Sequence, residues 1–236
     1  VKLVLILLLC ACPLFADTPV FDNNSTGNGT DDFSFSHTNN CTVNCGMVVV
    51  TCTSTGGGTS VSSVTYNSVA MTELGGVGGV FQVGVRTQLW QLNSPTSGTN
   101  SVAVAVTNSN EASAAAITYS NVNQSTAVGT PTTGGGSGSA PSIAVTSAVG
   151  EVVVDGVCST DNVTFTAGAG QTKRAGLAVN NVSNGASEEA GAASVTMSWT
   201  NSVTDWAAIG VSLKPSAAPP VGGSGAAPRM AERLYQ

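Results

Sequence analysis

The chain has 236 residues, a length that suits one large β-sandwich or two small domains. Charged residues make up only 8% of it, against about a quarter in an average protein, while 28 glycines and many Ser, Thr and Asn residues supply polarity without charge. A formal net charge of −6 with seven Lys and Arg leaves no basic patch, which argues against nucleic acid and anionic membrane surfaces as partners.

Disorder is a poor reading, because disordered chains are typically charged and poor in Val, whereas Val is abundant here and sits in short alternating runs. The first segment reads as an address. Lys2 precedes an apolar run, Leu3 to Cys12, and Ala16 is a small residue before a polar stretch, the pattern of a secretory signal cleaved after Ala16. The run falls short of the roughly 20 residues of a transmembrane helix, so the mature chain is expected to have no stable membrane span. Lipid attachment at Cys12 is the alternative, since Leu9-Cys10-Ala11-Cys12 loosely resembles a lipobox, although Cys10 and Pro13 fit it poorly.

Residues 17–32, rich in Asn, Thr, Gly and Asp, read as an extended N-terminal segment in which Pro19, Val20 and Phe21 form an apolar anchor. Such a segment could be donated as a strand to an open sheet edge of a neighbouring copy. Period-two alternation begins at Phe33-Ser34-Phe35-Ser36-His37 and continues through dense runs at Met47–Cys52 and Glu151–Cys158. Asn67-Ser68 reads as a hairpin break. Residues 126–141, rich in Gly, Thr and Ser, read as a flexible loop inside one sandwich. The later alternating runs are Val195–Trp199 and Trp206–Leu213, and residues 216–236 read as a linker and C-terminal tail. The expected fold is all-β: a single antiparallel β-sandwich of jelly-roll type, about a dozen strands over 33–215.

If Cys10 and Cys12 leave with the leader, four cysteines remain, an even number that in an exported chain predicts disulfides. Cys52 shares a face with Val48 and Val50, and Cys158 with Val152 and Val154. Both runs read as central strands with inward cysteines, so Cys52 is expected to pair with Cys158, and Cys41 with Cys45 in a local ring. The competing arrangement pairs Cys45 with Cys52 and leaves Cys158 a buried thiol.

The segments Val64–Thr72, Leu89–Pro95, Glu151–Asp155, Ala167–Thr172, Ala192–Trp199 and Trp206–Pro215 together resemble an uncharacterised β-sandwich module of exported bacterial surface proteins, often found beside fibronectin type III or laminin-G-like modules. The chain departs from it at Asn67-Ser68, where Gly-Gly is usual, and in the Cys41, Cys45, Cys52 cluster. The resemblance implies a fold and a compartment and brings no catalytic residue.

The candidate chemistry is sparse. His37, the only imidazole, ends a strand and reads as a surface or loop-facing residue, and no Gly-x-Ser-x-Gly elbow exists. Glu188-Glu189 are adjacent, so on a strand they face opposite ways and cannot flank one bond, and a solvated loop paired with Lys173 or Arg174 is expected. Asp31-Asp32 and Asp155 with Asp161 have the chemistry to hold Ca²⁺, but no Asp-x-Asp-x-Asp-Gly loop is present, and no metal or cofactor is predicted. Trp206, opposite a face of Ala207, Ile209, Val211 and Leu213, is the candidate ligand contact, while Trp199 reads as core. These features point to a non-enzymatic secreted surface protein, a structural or self-assembling subunit of a fibre or matrix. Its partners would be copies of itself or other surface proteins. The alternative is an adhesion or carbohydrate-binding module with glycans as partners.

Overall fold

Alternating side chains need a pleated backbone to sort them onto two faces, and the chain takes that form throughout. The computed structural model describes residues 17–54, 58–74, 80–82 by backbone alone, 84–108, 111–202 and 205–217; among them no residue is helical. The leader read over 1–16 and the tail beyond 217 lie outside the described residues.

The first half contributes β1 (Val20–Gly29), β2 (Phe33–Asn39), β3 (Gly46–Ser54), β4 (Ser60–Tyr66), β5 (Val69–Ala70), β6 (Thr72–Leu74), β7 (Val80–Gln82), β8 (Val85–Asn93), β9 (Gly98–Thr107) and β10 (Ala112–Ser120). The second half contributes β11 (Thr132–Ser137), β12 (Ser142–Thr146), β13 (Val152–Ser159), β14 (Thr166–Ala167), β15 (Thr172–Val179), β16 (Val182–Ala190), β17 (Ser194–Thr200) and β18 (Asp205–Leu213). All named pairings are antiparallel.

The strands form two sandwiches rather than one. The first half has sheets ordered β1-β10-β3-β8-β6, with β7 also on β8, and β2-β9-β4-β5; the second has β11-β18-β13-β16-β15 and β12-β17-β14. Eight of the ten first-half strands thus have a counterpart in the second half, β5 and β7 being the extras, so the second half repeats the strand order of the first. Registers repeat too. Phe33 lies opposite Val104 and Phe35 opposite Val102, as Ile143 lies opposite Met197 and Val145 opposite Val195. Val48 lies opposite Ile117, as Val154 lies opposite Val211. The eighteen strands among the described residues exceed the expected dozen because each half builds a core of its own: Met47, Val49, Tyr66 and Val102 in the first, Val153, Val157, Met197 and Trp199 in the second.

The two larger sheets then pack face to face around Val48, Val50, Ile117, Val154, Ile209 and Val211, giving a four-layer stack. This explains why β3 and β13 read as dense apolar runs: each is covered on both faces, and all eight residues of β13 are buried. Cys52 meets Cys158, and a Cβ on Gly156 would lie 2.2 Å from Val50 Cγ1. Positions of the same rank on β3 and β13 therefore meet across the interface, the two strands running in the same direction.

Two segments read as loose are strands. Residues 17–32 contain β1, the edge of the first large sheet, paired among the described residues only with β10. The Gly-rich stretch contains β11, paired with β18. Glycine is required where strands one and two of each half cross: a Cβ on Gly27 would lie 2.4 Å from Phe35, and one on Gly134 would lie 2.6 Å from Ile143. The break at Asn67-Ser68 is a two-residue turn with both φ angles positive, 48° and 64°, a geometry that suits a tight hairpin. The described ends of the chain meet. Asn121 donates from Nδ2 to Thr18 O at 3.3 Å and accepts from Ser216 N at 2.7 Å.

Candidate functional site

The edge strand β1 is the most elaborated polar region of the first half. A bulge between Phe21 and Asn23 lets Asp22 turn inward, where its Oδ2 accepts from Thr118 Oγ1 at 2.8 Å and from Asn40 N at 2.9 Å. Thr118 Oγ1 lies 3.3 Å from His37 Nε2, and His37 Nδ1 lies 3.1 Å from Ser25 Oγ. A carboxylate only accepts, so Thr118 spends its proton on Asp22 and receives one from Nε2–H. Nδ1 then accepts from Ser25. The result is a Ser25–His37–Thr118–Asp22 relay.

The relay has the order of a nucleophile, base and orienting acid. It lacks access, since His37 is fully buried, its ring edge-on to Tyr66 with centroids 6.0 Å apart. This corrects the surface reading of His37. The alternation that turns Phe33 and Phe35 inward turns His37 inward too, and that was the signal available in the sequence. Burial lowers its pKa to about 4, against the opposing pull of Asp22, so the ring is neutral at pH 7.

The second half buries a carboxyl. Asp155 is fully buried and accepts from Ser187 Oγ and Trp199 Nε1, both at 2.6 Å. Gln171 Nε2 donates to Ser187 Oγ at 2.7 Å. Desolvation pushes the Asp155 pKa up to about 7, against the two hydrogen bonds that favour the anion. Asp155 is therefore not a calcium ligand shared with Asp161: its oxygens are taken inside the sandwich. Among the described residues, no group of three His, Cys, Asp or Glu side chains comes together.

Phe21, read as an anchor for donation, anchors β1 within its own chain. Its ring packs edge-on to Tyr119 at 6.2 Å, and the Arg174 guanidinium sits 4.0 Å above its centroid. Arg174 pairs with Glu188. Glu188 lies on β16 and not in a loop; it and Glu189 do face opposite ways, Glu189 lying toward Gly170. Pro19 is buried and Val20 exposed. Donation of this strand would uncover Phe33 and Phe35, which close against the glycines of β1, so the geometry speaks against it.

Trp206 is half-buried rather than free. It lies across β11, 3.7 Å from the Cβ position of Gly134 and 3.4 Å from that of Gly136. The face opposite Ile209 is itself roofed by the outer sheet, a layer that strand alternation alone does not reveal. The cysteines pair as 41–45 and 52–158, with Cα separations of 5.8 and 5.4 Å, and two such bonds fit an oxidising compartment.

Comparison of the chain with protein-family models, with curated proteins and with solved structures returns no match.

Proposed function

We propose that this chain is a non-enzymatic, exported surface protein that acts as a structural, self-assembling subunit of a fibre or matrix. The observation that carries the reading is where its polar groups sit. The ionisable groups with function-like partners, His37 and Asp155, are sealed in the two sandwich cores. The outward positions of the outermost sheets are short and uncharged: Ser34, Ser36 and Ser101 on one side, Ala144, Thr196 and Thr200 on the other. Such a body offers contact surface rather than chemistry. The secretory pattern of residues 1–16 and the two disulfides support export. The resemblance to bacterial surface modules agrees with it.

The adhesion reading draws less support, because Trp206 has one face covered by β11. Electron microscopy of the purified protein tests the choice: filaments or regular aggregates are expected, and dispersed monomers that bind on a glycan array would favour adhesion. Hydrolysis of a glycan or ester panel, lost in Ser25→Ala and in His37→Ala, would overturn the non-enzymatic reading.

A further inference from the structure

We infer that the outer edge of β1 is a self-pairing surface, where β1 of one copy lies antiparallel to β1 of a second copy about a twofold axis at Thr26. The inference rests on the self-assembly reading and names its contact. Among the described residues β1, ten residues long, has β10 as its only strand neighbour, so most of one side of its backbone is unpaired; Asn24 N–H donates to Asn23 Oδ1 at 2.9 Å. Exposed edges of this kind pair with other chains unless they are short, bulged or charged.

The other edges are shorter than β1, and several are also bulged or charged. β15 has a bulge between Lys173 and Ala175 and bears Lys173 and Arg174. β5 and β14 have two residues each, β6 has three with Glu73 among them, β12 has five and β11 six. On β2, Thr38 O already accepts from Asn23 Nδ2 at 2.8 Å. β1 has its bulge, between Phe21 and Asn23, and its one charge, Asp22, near its start, and Asp22 is turned into its own subunit by Thr118 and Asn40. From Asn23 to Gly29 the strand is uncharged and free of proline.

The strand is also held rigid. Gly27 and Gly29 close on Phe35 and Phe33, Ser25 meets His37, and Phe21 is clasped by Tyr119 and Arg174. It therefore presents a preformed edge instead of a segment to be given away. An antiparallel pair about a dyad joins two six-stranded sheets through their edges and is one of the contacts a fibre would need. With the dyad at Thr26, exposed Asn24 of one copy faces exposed Asn28 of the other, an amide pair made twice.

The test uses the full chain exported to a bacterial periplasm, so that both disulfides form, and follows its size by sedimentation velocity over a concentration series. Wild type should dimerise. Asn24→Lys with Asn28→Lys should weaken dimerisation roughly tenfold or more, because like charges then face each other twice. Asn24→Lys with Asn28→Glu should restore it, since opposite charges then meet. Circular dichroism melting should show one fold for all three. In wild type, hydrogen exchange of the Asn23–Gly29 amides should slow as concentration rises. Wild type that stays monomeric would overturn both this contact and the self-assembly reading. A dimer that survives the double lysine variant, or exchange at Asn23–Gly29 that ignores concentration, would overturn the β1 contact alone. Failure of the Lys–Glu variant to recover would overturn the antiparallel register.

Discussion

The two halves share a strand order and differ in what they seal inside it. The first half holds an imidazole, His37, between Ser25 and Thr118; the second holds a carboxyl, Asp155, between Ser187 and Trp199. Their aromatic and aliphatic partners differ as well, Phe33 and Phe35 standing where Ile143 and Val145 stand in the repeat. What stays constant is the alternation, the two central dense strands and the glycines where strand one crosses strand two. The fold thus depends on the placement of small and apolar positions more than on particular core residues, and a polar group is tolerated wherever its hydrogen bonds are met.

The strongest way to break the pairing of halves is to cut the bond between them. Removing Cys52–Cys158 by a double Cys→Ala change should cost about 5 kcal/mol in the loop-entropy model, against about 2 kcal/mol for Cys41–Cys45, which closes a far shorter loop. Denaturant titration of the two variants measures the contrast, and equal losses would show that the long bond does not constrain the unfolded chain.

Gly156→Ala attacks the same interface from inside. Its methyl would fall on Val50, so a loss of roughly 1–3 kcal/mol is expected. Val50→Ala in the same chain should return part of that loss, and a double variant weaker than the sum of the singles would rule out the steric cause.

Acidity should sharpen the contrast, because the two buried groups titrate in opposite senses. His37 has a folded pKa near 4, below the 6.5 of an unfolded histidine, so its contribution is present above pH 6.5 and lost as pH falls toward 4. Asp155 has a folded pKa near 7, above 3.8, so its contribution is present below pH 3.8 and lost as pH rises through 7. Across pH 4–6.5 the two oppose each other. Asp155→Asn should leave stability that rises with pH there, and His37→Gln should leave stability that falls. Chemical denaturation at four or five pH values reads both slopes; parallel curves for the two variants would be the adverse result.

The smallest effect separates two glycines of β11. Gly134→Ala should destabilise, since its Cβ would press on Ile143, while Gly136→Ala meets Trp206 only at ordinary contact distance and should be neutral or slightly favourable. Melting temperatures distinguish them.

Much of this fold was legible in the residues. Val48, Val50 and Cys52 announce a face, and so do Val152, Val154 and Cys158, because side-chain period two leaves few alternatives; both cysteine pairs followed from those faces and from the short span of the Cys41–Cys45 loop. The duplication was harder to see. Ser101-Val102 with Thr107-Asn108 matches Ser194-Val195 with Thr200-Asn201, but most equivalent positions keep only size and polarity. β1 and β11 were missed because a strand lying over another strand's rings must shed its side chains, and polar or Gly-rich composition then resembles a loop. His37 was misplaced by residue type, although its register with Phe33 and Phe35 pointed inward. Asp155 and the Arg174–Phe21 contact depend on layers brought together from distant segments, which no local pattern encodes.

The junction at Asn121 has a mechanical corollary. Thr18 and Ser216 are fastened to the same residue, so tension between whatever precedes the first and follows the second would cross the body at one point. The line of pull would peel β1 from β10 bond by bond, while the disulfide between Cys52 and Cys158 and most of the stack hang to the side as unloaded mass. A string of such bodies would yield under force first at these necks, before the stack behind them is loaded.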